Sequence, residues 1–259
     1  MNYEYIQCDV KERVRYITLN RVDKRNAFNH QFVAELKDAF ILAEEDEDTK
    51  VIVLRANGEV FSAGADLQYL QSLQKNTYEE NLADSQFLKE LYHHMYMHNK
   101  IIIAQVEGHA IAGGCGLATV ADFTFAVPEA QFGYTEVKIG FVPAIVMVFL
   151  LRKVGETKAK ELLLTGKLIT AQTAKDMGII HEVVTKDKIQ DEVFSFAQKL
   201  CKETSGDSLK ITKSMISAVQ NMKDFDALNY AAEMNATARA TKDCKKGIAS
   251  FLSKEKIVW

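Results

Sequence analysis

Proline is scarce in this sequence: two residues in 259, Pro128 and Pro143. No Pro-rich or low-complexity stretch reads as a flexible linker, and no internal repeat is evident. The four cysteines, Cys8, Cys115, Cys201 and Cys244, stand far apart and form no CxxC pair. That spacing excludes a disulfide framework and a thiolate zinc site, and it is the usage expected of reduced thiols in a cytoplasm. Long apolar runs are missing too. The most apolar stretch, residues 144–151, is too short to span a bilayer, and the opening MNYEY lacks the basic-then-apolar pattern of a signal peptide. A net charge of −3 argues against a general nucleic-acid partner. Neither GxGxxG nor GxxxxGK[ST] occurs, so no nucleotide cofactor is expected.

What remains is the composition of an ordinary soluble globule, 47% hydrophobic and 26% charged, long enough to bury a sizeable core. Val14–Leu19 reads as a strand. A helix is expected from about Asn29, its N-cap, with Phe32, Val33, Leu36, Phe40 and Ala43 at helical spacing. The β-branched runs at residues 51–54, 101–106 and 123–127 have the pattern of strands buried on both faces. Strands alternate with helices to about residue 190, which predicts an α/β core over residues 1–190. Residues 191–259 form a helical C-terminal region, with amphipathic stretches near 187–201, 208–222 and 226–241.

Two segments carry candidate chemistry. Residues 61–67 (FSAGADL) follow a strand, and small residues there let the backbone approach a ligand with its N–H groups. Alone, the segment reads more readily as a tight turn opening a helix capped by Asp66. Residues 108–118 (GHAIAGGCGLA) follow the strand at 101–106, with a helix expected to begin near Gly113. Such a junction presents unpaired N–H groups with a helix dipole behind them, although close helix packing also needs glycine.

Taken together, in this order, the two segments resemble the oxyanion-hole segments of the crotonase (enoyl-CoA hydratase/isomerase) family. Three further segments carry the resemblance along the chain. Residues 20–29 (NRVDKRNAFN) resemble the family's NRP-x-x-x-NA loop, with Val22 in place of proline. Residues 130–136 (AQFGYTE) resemble its A-x-F-x-x-x-E segment. Leu164, Thr165 and Gly166, then Ala171, Ala174 and residues 178–180 (GII), resemble a later TG…A-x-x-A…GLV stretch.

The resemblance implies an α/β fold with a crotonase-like core of repeated β-β-α units. It also implies an acyl-coenzyme A thioester as substrate, with coenzyme A entering only as part of it and no separate cofactor. Ala65 and Gly113 then donate the two N–H groups that grip the thioester oxygen as an enolate forms. Donors of this kind are worth about 3–4 kcal/mol each. Ala27, Ala63, Ala65, Asp66, Leu67 and Gly113 line the substrate. Lys24 and Arg25, with Lys254 or Lys256, then face the coenzyme A phosphates, Lys24 and Lys256 foremost, although lysines in loops and tails are more often simply solvated. Glu136 is the proton-carrying carboxylate, expected in a dry pocket flanked by Phe132 and the apolar residues 139–142, with a raised pKa. A second glutamate, common in hydratases of the family, is replaced by Gly116. Restoring it is expected to raise hydration if the backbone tolerates a side chain.

Glycine at 116, combined with residues 135–146 (TEVKIGFVPAIV), resembles a subgroup of bacterial methylglutaconyl-CoA hydratases from leucine breakdown. A single glutamate is also how the family's isomerases work. An isomerase, or an acyl-CoA-binding scaffold that has lost its chemistry, therefore stands beside the hydratase. The family precedent implies a homotrimer or homohexamer built through the C-terminal helices. His94 and His98 sit at metal-ligand spacing on a helix-like stretch, but no carboxylate or cysteine nearby in sequence completes a site, so no metal is expected. His109, beside the glycine-rich segment, either touches substrate or packs.

Overall fold

The structure is a computed structural model and describes residues 3–259. It opens with a hairpin in which β1 (Ile6–Lys11) pairs antiparallel with β2 (Val14–Leu19). The two turn residues, Glu12 and Arg13, both have positive φ, the geometry that matches a tight turn to the twist of its strands. β1 has no counterpart among the strands expected from sequence. Five of its six residues are exposed along a sheet edge, so it shows no apolar pattern. Helix α1 (His30–Glu45) begins where its cap predicts, with the Asn29 side chain accepting the Phe32 N–H at 2.8 Å.

One unit then recurs. The strand β3 (Val51–Ala56) is followed by β4 (Val60–Ser62) and by helices α2 (Leu67–Leu73) and α3 (Tyr78–Met97). Next, β5 (Ile101–Val106) is followed by β6 (His109–Ile111) and α4 (Gly113–Val120). Then β7 (Phe123–Ala126) leads to β8 (Gln131–Gly133), a 3-10 turn at Glu136–Ile139 and α5 (Ala144–Thr165). Finally β9 (Ile169–Thr170), α6 (Ala171–Met177) and β10 (Glu182–Val183) close the sheets. In each unit the first strand joins a large sheet of order β1-β2-β3-β5-β7-β10, and the second joins a small one of order β4-β6-β8-β9. These are the repeated β-β-α units implied by the resemblance. They show no sequence repeat because only strand direction and sheet membership recur, while helix lengths and loops differ.

Within the large sheet β2, β3, β5 and β7 are mutually parallel. All six residues of β5 and the first four of β3 are buried, which is why these strands read as unbroken apolar runs. The short strands of the second sheet, two or three residues each, carry too little sequence for a period.

Four helices follow: α7 (Ile189–Glu203), α8 (Gly206–Val219), α9 (Asp224–Ala240) and α10 (Lys242–Ser253). Helix α7 buries Ile189, Val193, Ala197 and Cys201 against β2, β3, β5 and β7, so it covers the sheet and belongs to the core by packing. The helices that reach beyond the core are α8 to α10. Neither α9 nor α10 buries a residue within the chain.

Several helices end on lysine ammonium groups rather than in water. Lys50 Nζ donates to the carbonyls of Cys201 (2.9 Å) and Thr204 at the end of α7. Lys213, on α8, donates to Asp122 Oδ2 at 2.7 Å, Lys100 O at 3.0 Å and Met95 O at 3.4 Å, tying the last turn of α3 to the core. A cation satisfies the orphan carbonyls of a helix end and complements its dipole. Among the described residues, no helix is long and apolar enough to cross a membrane.

Candidate active site

The short sheet assembles the site. β4 pairs parallel with β6 (Val60↔His109, Ser62↔Ala110), and β6 with β8 (Ala110↔Phe132, Ile111↔Gly133). Parallel neighbours deliver their following loops at the same sheet edge. The segments holding Ala65, Gly113 and Glu136, each a few residues past its strand, therefore emerge side by side although 48 and then 23 positions separate them (113 − 65 and 136 − 113).

Ala65 is exposed and sits in an isolated parallel bridge with Phe28. The flanking peptides face that partner: Phe28 N–H donates to Gly64 O at 2.7 Å and Asp66 N–H to Phe28 O at 2.8 Å. The Ala65 N–H consequently points the other way and, among the described residues, has no acceptor. Gly64 has φ +85°, and a Cβ there would lie 2.7 Å from Ala112 Cβ and 3.4 Å from Gly113 N. Only glycine lets the two segments touch.

Gly113 is the first residue of α4, so its N–H has no intrahelical acceptor. Ala112 before it adopts φ 51°, ψ −124°, a strained conformation for a residue with a Cβ, costing about 1–3 kcal/mol. Two hydrogen bonds hold it: Ala112 N–H to Gly133 O (2.8 Å) and Gly116 N–H to Ala112 O (3.0 Å). With its carbonyl turned along the helix, the Ala112–Gly113 peptide aims its N–H out of the helix start. At the far end of α4, Lys153 Nζ donates to Thr119 O (2.7 Å) and Ala121 O (3.0 Å). Burial lowers this lysine's pKa to about 8.

Glu136 is half-buried at the start of its 3-10 turn, and its Oε2 is a buried atom with no hydrogen-bond partner. Burial pushes its carboxyl above the ordinary range. The expected apolar flank supplies little of that dryness, because Ile139, Phe141 and Val142 are exposed. They lie beyond the turn and face outward. Fully buried Tyr92, on α3, stands close enough for the Glu136 charge to help raise its phenol pKa, after the larger effect of burial.

At Gly116 the backbone is helical, so a side chain is excluded by space and not by φ. A Cβ there would fall under 3.0 Å from Val146 Cγ1 and 3.0 Å from Tyr92 Cε1. A side chain at 116 needs Val146 and Tyr92 to shift, so the condition attached to a restored glutamate, that the position tolerate a side chain, is not met by the space as it stands.

The remaining candidates are partly gathered. Asp66 caps α2, accepting from Gln68 N–H at 2.8 Å, and its Oδ2 pairs at 2.7 Å with buried Arg21, which also donates to Ala27 O. The capping role weighed for Asp66 is therefore real and coexists with a free Ala65 N–H. Ala27 is buried, Ala63 half-buried and Leu67 exposed around the same loop. Lys24 is exposed, its Nζ 3.5 Å from Gln68 Oε1. Lys256 is not brought here. Its tail is fixed at Trp259, whose N–H donates to Lys202 O and whose carbonyl accepts from Arg13, at the opposite end of β2 from Arg21. His109 is exposed and its Nδ1 accepts from Gln131 N–H.

The histidine pair does gain a carboxylate that local sequence did not show: Glu44 of α1 places Oε2 3.7 Å from His94 Nε2. Both nitrogens of buried His98 are engaged, however, Nε2 with Phe40 O and Nδ1 with the Lys100 N–H, each at 3.0 Å. Sequence reasoning gave no role to Arg21, Tyr92 or Val146, which stand against the site's backbone; Arg21 and Val146 lie inside the segments 20–29 and 135–146, and Tyr92 lies in neither.

Two free N–H donors on touching segments, with a dry carboxylate beside them, define a site that can hold a carbonyl oxygen as it gains charge and move a proton nearby. The enoyl-CoA hydratase/isomerase family model matches residues 9–259. A Thermus thermophilus protein, provisionally named an enoyl-CoA hydratase, is 39% identical over 244 residues, covering 94% of this chain and 96% of the other. The crotonyl-CoA hydratase of Syntrophomonas wolfei is 33% identical over 260 residues, covering 99% and 98%. The crystal structure of an enoyl-CoA hydratase from Shewanella pealeana superposes with a TM-score of 0.94 at 29% identity, covering 99% of this chain and 96% of that one. The chain belongs to the enoyl-CoA hydratase/isomerase family.

Proposed function

We propose that this protein hydrates a short, branched enoyl-CoA, with 3-methylglutaconyl-CoA of leucine degradation as the favoured substrate. The observation that carries the proposal is the unpartnered, buried Oε2 of Glu136 beside the unpaired N–H groups of Ala65 and Gly113. Glu136 takes a proton from water as its oxygen bonds to the β-carbon. The π electrons move onto the thioester oxygen, held by the two N–H groups, and the carboxyl then returns the proton to the α-carbon. Ala27, Ala63, Asp66 and Leu67 form the surrounding wall, and Lys24 faces a coenzyme A phosphate. No separate cofactor is needed, and the scattered, unpaired cysteines fit a cytoplasmic protein.

A homotrimer or homohexamer is supported by Phe225, Leu228, Phe251 and Leu252, large apolar side chains exposed on α9 and α10. One observation favours a second activity, isomerisation of a 3-enoyl-CoA: with Val146 and Tyr92 filling the space at Gly116, Glu136 is the sole proton carrier, as a shuttle between two carbons requires. Incubation with crotonyl-CoA, 3-methylglutaconyl-CoA and a 3-enoyl-CoA separates these readings. Loss of the conjugated-thioester absorbance marks hydration and its gain marks isomerisation. Binding without either change would leave a scaffold and overturn the proposal.

A further inference from the structure

The donor at Gly113 sits on a backbone with no side chain of its own to brace it. Gly113 and Gly114 are consecutive glycines and Ala112 is strained, so the Ala112–Gly113 peptide keeps its orientation through contacts that outweigh the strain, the 3.0 Å bond from Gly116 N–H to Ala112 O among them. Two contacts from outside the segment hold the Gly113 Cα and the adjoining Gly113–Gly114 peptide. Tyr92 donates its hydroxyl to Gly113 O at 2.7 Å. A Cβ on Gly113 would meet Phe28 Cε2 at 2.9 Å and the Tyr92 hydroxyl at 3.1 Å, so both side chains press on the bare Cα.

We propose that Tyr92 is the positioning residue of the Gly113 donor: its hydroxyl fixes the Gly113–Gly114 peptide, and so the direction in which the Gly113 N–H meets the substrate oxygen. The inference rests on the reading of Gly113 as an enolate donor. Tyr92 arrives from α3, an element separate from both oxyanion segments, and its ring also packs against Phe149 with centroids 6.2 Å apart. Its burial keeps the phenol protonated through the working pH range, so the hydroxyl remains a donor. Because that proton is committed to Gly113 O, Tyr92 acts through the backbone and not by transferring a proton itself.

The test is Tyr92→Phe in the full-length protein, with Met95→Ala as a control for loss of packing on the same helix. Acetoacetyl-CoA serves as the probe, since its enolate absorbs in the ultraviolet and its enolisation pKa falls when the oxygen is gripped. Wild type should lower that pKa relative to free ligand. Tyr92→Phe should return it upward by about one pH unit and lower kcat for crotonyl-CoA about tenfold, the scale of one neutral hydrogen bond at the transition state, with KM within about twofold. Met95→Ala should lower the melting temperature yet leave both readouts unchanged per folded molecule. Tyr92→Leu, a second variant, should reproduce the kinetic loss with a larger loss of stability. Wild-type kcat and enolisation in Tyr92→Phe, or equal kinetic losses in Met95→Ala, would overturn the role of Tyr92. A wild type that leaves acetoacetyl-CoA enolisation unchanged would instead overturn the donor reading itself.

Discussion

Replacing Gly116 by alanine puts one methyl group where Val146 Cγ1 already stands, less than 3.0 Å away, with Tyr92 Cε1 at 3.0 Å on the other side. Both neighbours are buried, Val146 at 5% exposure and Tyr92 at 0%, so neither can swing into solvent. Overpacking of this kind costs about 1–3 kcal/mol, while alanine in a helix gains about 1 kcal/mol over glycine. Gly116→Ala should therefore destabilise by about 1 kcal/mol, a fall of roughly 2–4 °C in melting temperature for a chain of this size. Val146→Ala alone opens a cavity and should cost about 2 kcal/mol. In the double variant the new methyl occupies the vacated space, so the two costs should not add. A coupling of about 1–2 kcal/mol is expected, within the range for residues in contact. Denaturant unfolding of the four proteins measures it. Costs that add to within about 0.5 kcal/mol would show that Val146 does not close the space beside Gly116.

Four further outcomes are expected. Ala112→Gly should stabilise by about 1 kcal/mol in thermal melts, because glycine takes φ 51°, ψ −124° without strain; a destabilised variant would mean that the strain is not there. His98 should make the protein acid-sensitive. Burial lowers its pKa to about 4, against about 6.5 unfolded, so the unfolded chain binds the extra proton. Its stabilising effect is complete above pH 6.5 and is lost as pH falls toward 4; His98→Gln should show a shallower fall in melting temperature over that window than wild type. Turnover should fall on the acid side as Glu136 becomes protonated, with a midpoint above the ordinary carboxylate range of about pH 4–5. Glu136→Gln should remove about 10²–10⁴-fold of the rate and that acid limb, leaving thioester affinity nearly intact.

Much of the fold was legible because its central strands are apolar on both faces and its first helix carries a capping asparagine. Val14–Leu19 and Ile101–Val106 have the limits expected of them, and α4 begins at Gly113. The edge strand β1 and the second sheet were not legible, the former for want of a buried face and the latter for want of length. The site divides along the same line. Ala65, Gly113 and Glu136 lie in segments whose small residues or ordered motifs mark them, each following the second strand of a unit. Tyr92 carries no such mark, and Val146 ends the marked segment 135–146 with nothing in it to show what the side chain touches. They matter because α3 and α5 pack against α4, and that contact exists only in the folded chain. The same holds for Glu44 beside His94, brought from a helix about fifty positions away.

The central claim is that Ala65 acts through its backbone N–H, and the contrast between two substitutions tests it most directly. Ala65→Ser keeps the N–H and adds one exposed oxygen; Ala65→Pro deletes the N–H at a position whose hydrogen-bonded neighbours are the flanking Gly64 and Asp66 peptides. Circular dichroism and melting establish that both variants fold, and turnover of crotonyl-CoA is then measured per folded molecule. Near-normal turnover for serine with a loss of about 10²–10³-fold for proline is the predicted result. Full activity in a folded Ala65→Pro protein would contradict the oxyanion assignment and the enolate chemistry built on it.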